Sequence, residues 1–291
     1  IPRPDRPQSL RPNSERDVTE RPDVRHDGRV RLGEATWNEV QTLVDNPMFE
    51  DGTRTPIVLV PVGSTEQHGP HLPMSTDTLI AEELVQRAMH LTNGLMVGPS
   101  LTVTASGEHA GFPGTLSIGT EVMTQVILEL GRSADWAAGV VFVNGHGGNS
   151  AAVEAATRTL RAEGRHVLSW WPKWPRRADG GPQDLHAGRI ETSLMLAIDP
   201  GLVRLELAAP GVDADINELR AHGVQAVSPS GVLGDPAGAS GTEGDQFIVG
   251  FVNDLVHAIE AWRPIDPTPI GNVRIQVAAD RLGSTDSEHS S

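Results

Sequence analysis

Cysteine is absent from the 291 residues of this sequence. The chain therefore forms no disulfide, and it has neither a thiolate metal ligand nor a cysteine nucleophile. If the protein binds a metal ion, histidine, aspartate and glutamate must supply the ligands. The GxSxG motif is also absent, which disfavours a serine hydrolase of the type that carries it.

Positive charge is scarce as well. Twenty-three lysines and arginines stand against 38 aspartates and glutamates, so the formal net charge is −15. Such a chain repels phosphate backbones and anionic membranes, and we expect neither nucleic acid nor a membrane as a partner. The sequence has no apolar run of about 18 residues and no secretory signal pattern, so we expect a cytoplasmic protein.

The two ends of the chain differ from its centre in composition. Residues 1–30 alternate prolines with charged residues and contain few apolar residues, which predicts a disordered N-terminal tail. Residues 264–291 are rich in proline and then in serine, which predicts a C-terminal arm and a disordered tail. Residues 31–263 are long enough to form one large α/β domain with a substantial core.

Two segments combine an apolar run, a polar loop and a helical pattern. The run Ile57–Val60 is predicted to be a strand buried on both faces, and the loop after it contains Glu66 and His68. Asp77 follows at the predicted N-terminus of a helix. The run Gly139–Val143 leads into His146 in the same way, within the sequence Asn-Gly-His-Gly-Gly-Asn.

Ligands bind at the carboxyl ends of the strands in open α/β sheets, where both loops are predicted to lie. Glu66, His68, Asp77 and His146 are thus expected to come together, and Glu191 joins them from the start of a later helix. An ordinary loop role for these polar residues, and a cap or surface role for Glu191, remain open. A phosphate-binding loop at residues 145–148 is less favoured, because the Lys-Ser/Thr ending is missing.

The residues Gly63–Pro73 with Asp77, and Asn144–Asn149, resemble the signature motifs of the creatininase (creatinine amidohydrolase) family. The resemblance covers residues 33–262. It implies a three-layer α/β/α fold with a mostly parallel sheet, a hydrolase of C–N bonds with two divalent metal ions, and a homo-oligomer. Fe²⁺ or Zn²⁺ is expected, and Mn²⁺ is also compatible with oxygen and imidazole ligands.

The same resemblance implies the ligand sets. One ion would be held by Glu66, Asp77 and His146, and the other by His68 and the bridging Asp77. Creatininase has tyrosine and glutamate where this chain has Gly147 and Gly148, which argues against creatinine as the substrate. Family members with the two glycines share the pattern His-Ala-Gly-x-x-Glu-Thr-Ser, so Glu191 is our choice for the missing ligand.

Three further segments resemble the branch of the family that matures the mycofactocin precursor peptide. They are residues 106–118, 186–196 and 231–236, of which the first is predicted as a glycine-rich loop that runs into a short strand. The resemblance implies a peptidase that releases a crosslinked C-terminal Val-Tyr unit from a modified ribosomal peptide. An amidase or deformylase of a small cyclic amide, and a non-catalytic metal- or nucleotide-binding module, are the alternatives.

Further roles are expected around the metal ligands. His186 is expected either to support a metal ligand or to protonate the departing amine, and Glu108 to shuttle protons. A satisfied loop histidine and a solvated carboxylate are the alternatives for these two residues. The substrate is expected to contact five residues: Ser106, His109, Phe112, Trp171 and Trp174. For the two tryptophans, a place in the core is the alternative.

Overall fold

The computed structural model describes residues 30–45, 56–175 and 184–263. The predicted tails therefore lie outside the described residues, except for Val30. That residue was expected to end the disordered tail, but it is buried in the first strand and pairs in parallel with Met96. A β-branched side chain with a sheet edge beside it gains more from burial than from remaining in a tail.

Five strands of the described chain form one parallel sheet. They are β1 (Val30–Arg31), β2 (Ile57–Val62), β3 (Leu95–Val97), β4 (Gly139–Asn144) and β5 (Val167–Trp170), in the order β1-β3-β2-β4-β5. Every residue of the central strands β2 and β4 is buried. Their register runs from Ile57 opposite Gly139 to Val62 opposite Asn144, so the two strands end side by side.

Helices cover both faces of this sheet. Successive residues of β2 point to opposite faces: Ile57 and Leu59 belong to one apolar core, and Val58 and Val60 to the other. The described helices are α1 (Trp37–Asp45), α2 (Thr76–Leu91), α3 (Gly119–Ser133), α4 (Ser150–Ala162), α5 (Arg189–Ile198), α6 (Ile216–His222), α7 (Val224–Val227) and α8 (Gly241–Trp262).

The first core joins β2 to α2, α5 and α8, whereas the second joins it to α3 and α4, with α1 at its margin. The predicted three-layer α/β/α fold with a parallel sheet is thus confirmed. Among the described helices, none is both long and apolar enough to cross a membrane.

The order in which the chain adds strands to the sheet reverses between β2 and β4. From β2 it passes through α2 to β3 on one side, and from β4 it passes through α4 to β5 on the other. The connecting helices α2 and α4 lie on opposite faces, which opens a crevice at the carboxyl ends of β2 and β4. The loops predicted to carry metal ligands begin at this crevice.

The segment 106–118 differs from its prediction. Instead of a short strand, it contains a 3₁₀ turn at Gly107–His109 and two isolated bridges, Leu116 with Thr65 and Ser117 with Thr104. Because neighbouring residues pair with different segments, no continuous ladder of hydrogen bonds can form. The segment is instead tied into the loop that follows β2.

Two glycines of helix α8, one packed against α5 and one exposed, test how closely α5 must approach α8. A Cβ atom at the buried Gly244 would lie 1.9 Å from the carbonyl oxygen of Ser193 in α5, whereas one at the exposed Gly250 would meet no atom beyond the helix within 4 Å. We expect Gly244→Ala to lower the free energy of unfolding by about 1–3 kcal/mol through overpacking. Gly250→Ala should raise it by about 0.5–1 kcal/mol. Urea denaturation of both variants measures this, and a loss of equal size in each would contradict the packing argument.

Candidate metal centre

Five acidic and histidine side chains meet at the crevice between β2 and β4. Glu66 and His68 come from the loop after β2, and His146 lies two residues beyond β4. Asp77 and Glu191 stand in the first turns of α2 and α5. All five are buried, with at most 7% of any residue exposed. The structure thus brings together every residue that the sequence analysis assigned as a ligand.

Asp77 lies at the centre of this group. One carboxylate oxygen, Oδ1, is 3.0 Å from Nε2 of His68, and the other, Oδ2, is 3.2 Å from Nδ1 of His146. The Ser64 hydroxyl donates a hydrogen bond to Oδ2 at 2.7 Å. The two oxygens therefore face two different histidines, which is the arrangement a bridging carboxylate needs.

Glu66 is buried with little hydrogen-bond support. Its Oε2 is 3.1 Å from Nε2 of His146, and its Oε1 is 3.2 Å from Nε2 of His109. Ser106 lies beside the carboxylate and lowers its pKa, but no donor in the described chain meets either oxygen in good hydrogen-bond geometry. A buried carboxylate without such partners is costly, and a cation is the partner that would compensate it.

The side chains form groups suited to a metal ion. Within each group, every residue offers one potential ligand atom, and these atoms lie within 4.8 Å of one another. The first group is Glu66, Asp77 and His146, and the second is His68, Asp77 and Glu191. Asp77 belongs to both groups. Glu66, His68 and His186 form a third such group. Because oxygen and imidazole donors suit first-row transition metals, the residues fit a centre of this kind.

Burial and neighbouring charges shift the pKa values of the carboxylates. Burial raises the pKa of Glu66 to about 7, although His146 opposes the shift, and burial raises the pKa of Glu191 to about 8. Burial acts in the same direction on Asp77, but His68 and His146 hold its pKa well below its usual value. Glu66 and Glu191 thus have too little positive charge nearby to favour their ionised forms.

The histidines divide into two kinds. Burial acts to lower the pKa of His68 and of His146, but Asp77 and Glu66 raise both values to about 10. Burial lowers the pKa of His109 to about 3 and that of His186 well below its usual value, so these two rings are neutral. A divalent cation needs ionised carboxylates and neutral imidazoles, and its charge would favour both.

The two predicted catalytic residues lie at the edge of the ligand group. His186 is buried, with Nδ1 3.8 Å from Oε1 of Glu66 and its ring centroid 4.3 Å from that of His68. Glu108 has 31% of its side chain exposed, and its Oε1 is 3.7 Å from Nε2 of His146. Glu108 therefore connects the buried group with the solvent.

Gly148 makes room for Glu108. A Cβ atom at position 148 would lie 2.2 Å from Oε1 of Glu108 and 2.4 Å from Nε2 of His146. No side chain can occupy position 148 unless these two groups move. The second glycine of the Gly-Gly pair is thus required by the site itself.

The five predicted substrate contacts separate in the structure. Ser106 and His109 are buried beside Glu66. Phe112 packs in a small apolar cluster with residues of α6 and α7. Trp174 instead contacts Phe251 of α8 edge to face, with centroids 5.4 Å apart, and Trp171 is 36% exposed. None of the described contacts joins either tryptophan to the candidate ligands.

Two buried residues at the site were not assigned a role from the sequence. Gln67 contacts both His109 and His186, and His71 lies 3.0 Å from the Thr192 hydroxyl through its Nε2. For Gln67 the available signal was its position between the two ligands of the first loop. The pattern of polar residues does not tell which of them points inward.

Fold and site together define an α/β/α hydrolase with a carboxylate–histidine centre at the switch point of its sheet. A family model described as "Creatininase: Creatinine amidohydrolase" matches residues 34–259, and the chain belongs to this family. It is accordingly a hydrolase that acts on amide bonds.

Individual relatives agree with this assignment. The chain is 46% identical over 222 residues to the mycofactocin precursor peptide peptidase of Mycobacterium ulcerans strain Agy99, covering 72% of this chain and 86% of the relative. A solved structure described as "Creatininase Mn" is 27% identical, with a TM-score of 0.65 and coverage of 81% and 99%. A creatininase variant of "Zn-Zn type" is also 27% identical, with a TM-score of 0.64 and the same coverage.

Metal binding at this centre should be visible as a gain in stability. We expect Zn²⁺ to raise the Tm of the wild-type protein, since a ligand at about 100 times its Kd adds about 2.7 kcal/mol. Glu66→Gln should lose most of this gain, because an amide is a poorer ligand than a carboxylate. Glu154→Gln, the same change at an exposed position of α4, is the control and should keep it. Thermal unfolding with and without chelator measures the shifts, and an unchanged gain in Glu66→Gln would contradict the assignment.

Proposed function

We propose that this protein is a metal-dependent peptidase that cleaves the modified mycofactocin precursor peptide and releases its crosslinked C-terminal Val-Tyr-derived unit. The observation that carries the proposal is the carboxylate–histidine centre built around Asp77, in a chain 46% identical to a relative with that activity in its name. The substrate is therefore a modified ribosomal peptide.

The proposed centre would hold two divalent ions. Glu66, Asp77 and His146 would hold one ion, while His68, Asp77 and Glu191 would hold the other. The two oxygens of Asp77, which face different histidines, support this division. Zn²⁺, Fe²⁺ and Mn²⁺ all suit these donors, and creatininase structures described with Zn-Zn and with Mn support two of these metals. When bound, such ions polarise a carbonyl group and lower the pKa of water.

His186 is suited to move the proton in this reaction. Hydrolysis breaks the amide C–N bond, adds a hydroxyl to the carbonyl carbon and adds a proton to the departing nitrogen. The neutral ring of His186 can take a proton from the attacking water at Nδ1, the nitrogen 3.8 Å from Glu66, and give it to the departing amine.

Four of the other predicted residues have roles in the proposed reaction. Glu108 exchanges protons between the centre and the solvent, as its partial exposure near His146 supports. Ser106 and His109 contact the scissile region of the peptide from the loop beside Glu66. Phe112 contributes to the contact with the aromatic end of the peptide, together with the apolar cluster of α6 and α7.

The family model supports a second candidate function. Its description names creatinine amidohydrolase, so an amidase acting on a small cyclic amide would use the same residues. The two candidates differ in the size of the substrate and not in the chemistry of the centre. A test on the peptide therefore separates them.

The decisive experiment uses a synthetic crosslinked precursor peptide and the metal-loaded protein. We expect mass spectrometry to detect release of the C-terminal unit, because the loaded centre hydrolyses the preceding amide. A chelated sample and Glu66→Gln should leave the peptide intact, and Glu154→Gln should cleave it. An intact peptide over a metal-replete wild-type enzyme would reject the peptidase and favour the small cyclic amide.

The two-ion arrangement predicts a specific loss in His68→Ala. The second ion should be lost while Glu66, Asp77 and His146 retain the first, and turnover should fall below detection. His90→Ala, the same change at an exposed residue of α2, should retain both ions and full turnover. Elemental analysis by plasma mass spectrometry counts the ions per chain, and circular dichroism verifies the fold. A metal-replete and active His68→Ala protein would refute the assignment.

A further inference from the structure

The Gln67 side chain is held at both ends by backbone groups. Its Oε1 lies 2.9 Å from the N–H of Gly69, and its Nε2 lies 3.1 Å from the carbonyl oxygen of Gly231. A backbone N–H can only donate and a backbone carbonyl can only accept. The orientation of the amide is therefore fixed, with the oxygen toward Gly69 and the NH₂ group toward Gly231.

This orientation determines which ring nitrogen of His109 carries the proton. Nδ1 of His109 lies 2.8 Å from the Gln67 NH₂ group and must accept its hydrogen bond. An imidazole whose Nδ1 accepts a hydrogen bond carries its single proton on Nε2. That N–H lies 3.2 Å from Oε1 of Glu66, so His109 presents a donor to the metal centre.

The backbone of Gln67 acts in a similar way on His186. Nε2 of His186 lies 2.7 Å from the Gln67 carbonyl oxygen and must donate to it. The lone pair of His186 is then on Nδ1, which faces Glu66. The Gln67 amide has only two hydrogens, which Gly231 and His109 use, so its 3.0 Å contact with Nε2 of His186 carries no hydrogen bond.

We propose that Gln67 is a positioning residue that fixes the Nε2–H tautomer of two active-site histidines, which turn different ring nitrogens toward Glu66. Its side chain makes His109 a donor, and its backbone carbonyl makes His186 an acceptor, on either side of the same Glu66 oxygen. A donor suits the carbonyl oxygen of a scissile amide, and an acceptor suits the proton that must travel to the departing nitrogen. This catalytic meaning rests on the proposed function, whereas the tautomers themselves do not.

The backbone at Gly231 approaches the Gln67 amide closely. It has a φ of +80°, and a Cβ atom there would lie 1.7 Å from Oε1 of Gln67. The loop that contains residues 228–236 thus keeps a glycine where the amide must fit. This close approach, together with burial of Gln67, leaves the side chain little freedom to rotate.

The test is ¹⁵N NMR of the histidine rings in the zinc-loaded full chain without substrate. Protonated and unprotonated ring nitrogens resonate in separate ranges, and the spectrum of His109→Gln assigns one ring. We expect the wild-type protein to carry the proton on Nε2 in both His109 and His186. In Gln67→Glu, which has no donor for Nδ1, the proton of His109 should move to Nδ1, while His186 keeps its tautomer because its partner is the backbone.

Turnover of the peptide provides the second readout. Gln67→Glu should lower kcat by about 10–100-fold, the usual effect of losing a residue that orients an active-site group, with KM little changed. Gln125→Glu, the same change on the exposed face of α3, should match the wild type in both measurements. Gln67→Met removes the amide without adding charge, and it should give a mixture of His109 tautomers and a similar loss of kcat.

Three results would overturn the proposal. The first is a wild-type spectrum with the His109 proton on Nδ1, which needs no variant to fold. The second is an unchanged His109 signal in both Gln67 variants, and the third is wild-type kcat in a variant whose His109 tautomer has changed. If the wild-type protein fails to cleave the peptide, the proposed function fails while the NMR result still decides the tautomers.

Discussion

The contact of Asp77 with two imidazoles at the start of α2 is the interaction on which the site depends. It requires the ends of β2 and β4 to approach the first turn of that helix very closely. A Cβ atom at Gly63 would lie 2.3 Å from Cα of Thr78, and one at Gly145 would lie 2.5 Å from the carbonyl oxygen of Asp77. Glycine at the end of each strand therefore allows the helix to deliver its carboxylate between His68 and His146.

The cost of this arrangement is a concentration of buried charge. Glu66 and Glu191 are ionisable groups whose burial favours the protonated form, and no donor fully compensates Glu66. Burying these carboxylates destabilises the folded state, and packing in the two apolar cores around the parallel sheet offsets that cost. A cation bound at the proposed centre would stabilise the folded chain as well as enable catalysis, and folding and metal binding would then be thermodynamically coupled.

Much of this architecture follows from local sequence. Two uninterrupted β-branched runs predict β2 and β4, and parallel pairing then brings the residues after both strands to one edge. The proximity of the candidate ligands Glu66, His68, Asp77 and His146 was therefore predictable before any coordinates. Glu191 was a weaker candidate, because a carboxylate in the first turn of a helix is equally suited to a cap, and the family resemblance was needed to choose it as the missing ligand.

Other features depend on tertiary contacts that local sequence does not contain. Ser75, which precedes α2, makes no side-chain cap hydrogen bond, and Asp77 in the first turn faces the histidines. Trp174 could line a cleft or join the core, and only packing against Phe251 decides its place. The role of Gln67 depends on backbone groups from residues 69 and 231, which no short motif connects.

The shared space at Gly148 and Glu108 links two distant positions of the chain. Gly148 lies two residues after His146, whereas Glu108 lies on another loop. The side chain of Glu108 occupies the space that a side chain at position 148 would need. A side chain at position 148 would displace the carboxylate of Glu108 and the ring of His146 together. A larger residue at position 148 thus constrains what residue 108 can be. The two positions are therefore coupled: a substitution at either one changes the space available to the other.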